Sequence, residues 1–149
     1  MAGTRILALD PGTKRIGVAL SDELGWTAQP LETFERRSVE ADIVHIRALV
    51  KEHEVGEVVV GLPLRLDGRA GPEAEEAERF RGKLAEALPV PVVAWDERLT
   101  SRSAEDLLIQ ANVSRKKRKG AVDRIAAALI LQSYLASRSS AGAGHSNGA

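Results

Sequence analysis

The chain contains no cysteine, which excludes disulfide cross-links and thiolate metal sites and suits a reducing cytoplasm. Aromatic residues make up only 3% of the sequence. That is too few for the stacking platforms of single-strand binders, so any nucleic acid would be recognised by backbone and shape. No apolar run approaches the ~18 residues of a membrane span, and the N-terminus lacks a signal-peptide core; a cytoplasmic protein is expected. Nor is there an excess of charge of one sign: Lys+Arg and Asp+Glu both number 21. The histidines at 45, 53 and 145 fall on a helix, at its end and in a tail, and are assigned no catalytic work.

What is present fits one domain. A chain of 149 residues, 44% hydrophobic and 28% charged, can bury a single core. Its charge is unevenly placed. Between Arg98 and Arg124 lie eight basic and three acidic residues, a local net charge of +5, so a neutral protein can still grip a polyanion at one place.

Residues 5–10 and 16–21 read as strands joined by a Pro11-Gly12 turn, and Trp26 to Arg36 as a third, making an antiparallel meander. Ser38 caps a helix running to about His53, with Val39, Ile43, Ile46, Leu49 and Val50 on its apolar stripe. The run Val58-Val59-Val60 is a strand buried on both faces. Residues 61–72, with three glycines and two prolines, form a loop, and three of its leucines suggest a flap, a dimer contact or a packed turn. A helix over Glu73–Leu88 buries Ala77, Phe80, Leu84 and Leu88, and Val92-Val93-Ala94-Trp95 is another buried strand. A helix capped by Thr100 or Ser101 runs to about Asn112, and an alanine-rich helix covers Val122–Ala136. Residues 137–149 have no apolar anchor and are expected to be disordered, leaving 1–136 as the domain. The order βββαβαβαα defines a mixed three-layer α/β fold on five strands, the first three antiparallel and the rest alternating with helices.

Three carboxylates fall where such a fold could gather them. Asp10 ends the first strand, Glu97 follows the last, and Asp123 shares a helix face with Ala126, Ala127, Ile130 and Tyr134. Unpaired acids about 4 Å apart repel by roughly 4 kcal/mol per pair at an effective dielectric near 20. Such a cluster persists if it holds a divalent cation or protons. Oxygen ligands without histidine or cysteine favour Mg²⁺ or Mn²⁺ over zinc. Each acid also has a plainer reading: Asp10 as a turn former, Glu97 as the ion-pair partner of Arg98, and Asp123 as favourable charge at a helix N-terminus. A hairpin like that at Asp10 occurs both in RNase H-like nucleases and in actin/hexokinase-like phosphotransferases. The latter clamp nucleotide between two domains and carry a second phosphate hairpin, which this chain lacks.

Four blocks resemble the YqgF family: Leu9-Asp10-Pro11-Gly12-Thr13-Lys14-Arg15-Ile16-Gly17-Val18-Ala19, Val60-Gly61-Leu62-Pro63-Leu64, Asp96-Glu97-Arg98-Leu99-Thr100-Ser101, and Val122-Asp123 with Ala126-Ala127 and Ile130-Leu131. The similarity spans residues 4 to 136. It implies an RNase H-like fold and a nuclease of the pre-16S rRNA or Holliday-junction-resolvase type, with precursor rRNA or branched DNA as partner. It further implies Asp10, Glu97 and Asp123 as metal-binding catalytic acids, with Mg²⁺ or Mn²⁺ as cofactor. RuvC-type junction resolvases often carry a second acid three residues after the helix acid, where this chain has Ala126.

Arg115, Lys116, Lys117, Arg118 and Lys119 immediately precede the helix of Asp123, and Lys14 and Arg15 lie at the hairpin tip beside Asp10. With Arg98, these are the candidate phosphate contacts, which position a strand without reading its sequence. The expected activity is metal-dependent hydrolysis of phosphodiesters in structured nucleic acid by a monomer or homodimer, most simply 5′ processing of precursor 16S rRNA. The alternatives are junction resolution in DNA recombination and repair, a binding module without turnover, and an actin-like nucleotide-binding module.

Overall fold

The computed structural model describes residues 4–63, 71–96 and 125–138. Five strands form one sheet: β1 (Arg5–Pro11), β2 (Arg15–Ser21), β3 (Ala28–Glu35), β4 (Val55–Leu62) and β5 (Val92–Asp96), in the order β3-β2-β1-β4-β5. The first three are antiparallel, whereas β4 runs parallel to β1 and β5 parallel to β4. Helices α1 (Val39–Glu52) and α2 (Pro72–Ala87) intervene between the parallel strands, and a third helix, α3, spans residues 125–138.

The sheet is covered on both sides. Leu7 and Leu9 of β1, Ile16 and Val18 of β2, and Val58 and Val60 of β4 pack with Ile46 and Leu49 of α1 and Phe80 and Leu84 of α2. The alternate residues Ile6, Ala8, Ala19 and Val59 pack with Ala127, Ala128, Ile130 and Leu131 of α3. Residues 6–9 are therefore buried on both faces, which is why they read as an unbroken apolar run. On α3 the alanines Ala126 and Ala127 are wholly inaccessible, as are Ile130 and Leu131.

Local chemistry sets the element ends. The Ser38 hydroxyl accepts from the Ala41 N–H at 3.0 Å, and Glu40 and Asp42 stand in the first turn of α1, where negative charge is favoured. Glu54 turns the chain into β4 with φ of 53°. Pro72 opens α2 at a position where its missing N–H costs nothing.

Several boundaries differ from the sequence expectation. The third strand starts at Ala28 rather than Trp26, because the Asp22 carboxylate accepts the N–H groups of Trp26 (2.7 Å) and Thr27 (3.0 Å) and holds them in the turn. The same bonds, that of Thr27 foremost, hold the Asp22 carboxyl below its ordinary value. β4 extends from Val55 to Leu62, beyond the Val58–Val60 run, so the expected loop from 61 begins two residues late. Glu57 interrupts the apolar pattern there, yet its carboxylate is satisfied by Tyr134 and Arg138 of α3. α3 also continues through Ser137 and Arg138, two residues into the expected tail. The expected 100–112 helix, the basic connection and residues 139–149 lie outside the described residues.

Among the described residues, no helix is long and apolar enough to cross a membrane. The tight seat of α3 has a measurable consequence: Ala127→Leu should overpack the interface and cost about 1–3 kcal/mol in urea denaturation. An unchanged midpoint would show that the helix is not held against the sheet.

Candidate active site

Asp10 is the penultimate residue of β1. Ile6 and Ala8 belong to the α3 side and Leu7 and Leu9 to the other, so the strand period assigns position 10 to the α3 face. The residue is half-buried, at the C-terminal end of the central strand, where open α/β sheets place their sites.

The positions flanking it on that face carry no side chains. Asp10 pairs with Gly17 of β2. On the other side Leu9 pairs with Val60, and the next residue of β4 is Gly61, itself paired with Trp95 of β5. Both glycines are buried. The row Gly17, Asp10, Gly61, Trp95 thus sets one carboxylate in a notch between two glycines, with an indole at its far end. The sequence marks Gly17 as a point of close approach or a bulge. It does not mark Gly61 in the same way, although a glycine closing a valine run signals a missing side chain at a strand end.

The wall opposite is α3, fixed by a small polar network. Trp95 meets Tyr134 edge to face at 5.4 Å between ring centroids. The Tyr134 hydroxyl donates to Glu57 Oε2 at 2.9 Å, and Arg138 Nη1 donates to Glu57 Oε1 at 2.9 Å. Burial, reinforced by the hydrogen bond to the Glu57 carboxylate and by its charge, pushes the Tyr134 phenol up to about 12.

The hairpin after Asp10 is held from the opposite face. The Gly12 N–H donates to the Arg15 carbonyl at 2.8 Å, and the Gly12 carbonyl accepts from Arg36 Nη1 at 2.8 Å. Sequence reasoning misses Arg36, because nothing in its spacing links it to the hairpin 24 positions earlier. Lys14 is exposed and Arg15 half-buried at the tip.

Of the expected site residues, the described structure therefore contains Asp10, Lys14 and Arg15. Glu97 and Asp123, with Arg98 and the basic residues Arg115, Lys116, Lys117, Arg118 and Lys119, lie outside it. Among the described residues no three His, Cys, Asp or Glu side chains gather as a metal site. A cavity of about 1140 Å³ lies at the other end of the sheet, lined by Arg5, Val55, Arg47, Lys51, Leu88 and Pro89. It opens beside the N-terminal ends of β1 and β4, away from Asp10, and the strand-end rule gives it no catalytic weight.

The fold has clear structural counterparts. The RuvC of Thermus thermophilus, solved in complex with a Holliday junction substrate, aligns with a TM-score of 0.57 over 91% of this chain and 95% of its own, at 16% identity. The fowlpox virus Holliday junction resolvase aligns with a TM-score of 0.53 over 89% of this chain and 99% of its own, at 16% identity. The architecture is thus the RNase H-like fold of the resolvases. Closer in sequence, a Halalkalibacterium halodurans protein named "Putative pre-16S rRNA nuclease" is 55% identical over 88% of this chain and 95% of its own length. A Syntrophus aciditrophicus protein of the same name is 53% identical over 88% of this chain and 87% of its own. Fold and relatives together define a nuclease, a hydrolase of phosphodiester bonds. The chain belongs to the RuvX family, described as Holliday junction resolvase, whose model matches residues 4–137. Membership settles the choice between the two superfamilies that share the Asp10 hairpin.

Tyr134 is the only tyrosine, so its ionisation can be followed directly by ultraviolet absorbance. The folded phenol should titrate near 12, against the ordinary 10.0 once the chain unfolds. Because the folded value is raised, this contribution to stability is complete below pH 10 and is lost as pH rises towards 12. A native-state midpoint at 10 would show that Tyr134 is not seated against Glu57.

Proposed function

We propose that Asp10, Glu97 and Asp123 form a divalent-metal site for phosphodiester hydrolysis, and that the substrate is precursor 16S rRNA, trimmed at its 5′ end in the cytoplasm. The observation that carries this reading is the place of Asp10: the end of the central strand, half-buried on the α3 face, between Gly17 and Gly61. On the sheet itself the two strand positions flanking this carboxylate are glycines. Glu97 follows Trp95, which packs on the same side of the sheet, by one strand period. Asp123 precedes the buried Ile130 by seven residues, two helical turns. Gly61 of β4 lies between Asp10 and Trp95 in the row across the sheet.

The donor set consists of oxygens alone, which fits Mg²⁺ or Mn²⁺. Divalent ions bound there would supply Lewis-acid stabilisation of charge on the attacked phosphate. The protein's own part is to orient the carboxylates on rigid elements and to exclude competing side chains. Arg98, Lys14, Arg15 and the cluster Arg115–Lys119 would hold the flanking phosphates and offset the repulsion a polyanion meets on nearing acids. On this reading residues 1–136, with the last two residues of α3, are one catalytic domain.

The decisive experiment incubates the purified protein with precursor 16S rRNA and, in parallel, a four-way DNA junction, each with and without Mn²⁺. Metal-dependent cleavage of the rRNA supports the proposal. Cleavage of the junction alone supports the second reading, branched DNA as substrate, which the family description favours. Asp10→Asn should abolish cleavage while leaving the unfolding midpoint within a few degrees of wild type; an active variant would remove the metal-site argument. Replacing Lys116, Lys117 and Arg118 with alanine should weaken binding and flatten its salt dependence by about 0.7–0.9 in log–log slope for each phosphate no longer neutralised. An unaltered slope would show that the cluster does not touch the backbone.

A further inference from the structure

We infer that Arg36 is a positioning residue for catalysis: from behind the sheet it clamps the turn that follows Asp10 and so fixes where that carboxylate and the Lys14–Arg15 tip are presented. The inference rests on the nuclease reading of Asp10.

The β2–β3 ladder pairs Arg15 with Glu35. One residue further on, the Arg36 N–H donates to the Lys14 carbonyl at 2.9 Å, adding a rung beyond the strand. The side chain then reaches Gly12, whose carbonyl accepts from Nη1 at 2.8 Å. Gly12 also donates its N–H to the Arg15 carbonyl at 2.8 Å, so both its polar backbone groups are tied down. A Cβ at this position would stand 2.9 Å from the Arg15 carbonyl oxygen, which leaves glycine as the residue that fits so tight a turn.

The clamp is anchored in the core. Arg36 Nε donates to Asp42 Oδ2 at 3.4 Å, and the guanidinium carbon stands 4.9 Å from the centre of the Phe80 ring. Asp42 is only 3% exposed, as is Phe80, and the other Asp42 oxygen accepts the Arg37 N–H at 3.2 Å. One side chain thus joins the hairpin tip to the start of α1 and the middle of α2. A guanidinium can do this because its fork serves an acid and a carbonyl while its face lies on a ring. An ammonium offers a point charge and no plane. Phe80 belongs to the cluster on the α1/α2 side of the sheet, whereas the period of β1 assigns Asp10 to the α3 side. The clamp therefore steadies the turn without occupying space that substrate would need.

The test compares wild type, Arg36→Ala, Arg36→Lys and Phe80→Leu by amide hydrogen exchange and by Mn²⁺-dependent cleavage of precursor 16S rRNA and a four-way junction. In Arg36→Ala, protection should fall at Gly12 and Arg36 while amides of β1 and β4 stay protected. The kcat should drop at least tenfold, with substrate Kd changed less than threefold and its salt slope unchanged. Arg36→Lys and Phe80→Leu, which each keep part of the clamp, should give intermediate reductions of kcat. Retained protection at Gly12 in Arg36→Ala overturns the clamp whatever the enzyme does. Reduced protection with kcat intact overturns its catalytic consequence. A salt slope flattened by about 0.7–0.9 would instead make Arg36 a phosphate ligand. A wild type inert towards both substrates overturns the nuclease reading, and exchange at Gly12, which needs no substrate, separates that failure from failure of the clamp.

Discussion

The register of β1 is the constraint on which the rest of the molecule depends. This strand has β2 on one edge and β4 on the other, and residues 6 to 9 are buried on both faces. Each side chain is therefore committed to one of two cores. A slip of one residue would send Leu7 and Leu9 to the α3 side and Ile6 and Ala8 to the other, trading Leu9 for the smaller Ala8 beneath α1 and α2. The same commitment fixes the direction of Asp10. Hydrophobic packing along the strand thus sets the face that Asp10 takes, and the Arg36 bond to Gly12 ties down the turn that follows it.

The two faces divide the labour. On the α1/α2 side the residues are large, and the core between helices and sheet is conventional. On the α3 side alanines are frequent: Ala8, Ala19, Ala28, Ala127 and Ala128 pack there with Ile6, Val59, Ile130 and Leu131. Glu57, Tyr134 and Arg138 then fix the far turn of α3 by directed bonds rather than by bulk.

Much of this is legible in the sequence, because the signals are local. The apolar run before Asp10, the Pro-Gly turn, Ser38 as a cap and the stripe of α2 all act over a few residues, and the element order follows from them. Boundaries shift where a side chain elsewhere overrides the local pattern. Asp22 captures two backbone amides and shortens β3, while Tyr134 and Arg138 make Glu57 acceptable inside β4. At the candidate site, Asp10 stands out as a carboxylate closing an apolar strand. Arg36 and Gly61 do not, since their meaning lies in contacts and pairings between distant segments that no spacing rule encodes.

The glycines beside Asp10 have a cost that the fold carries elsewhere. A glycine inside a strand forfeits about 0.5–1 kcal/mol relative to alanine, through greater chain entropy in the unfolded state and absent packing, and Gly17 and Gly61 both lie in strands. Valine or threonine would suit those pleats better. A search for a hardier version of this protein that rewards melting temperature alone would be drawn to these two positions, and each substitution there would set a side chain on the rung beside the carboxylate. Resistance to heat and turnover are thus set against one another at adjacent rungs of the same ladder.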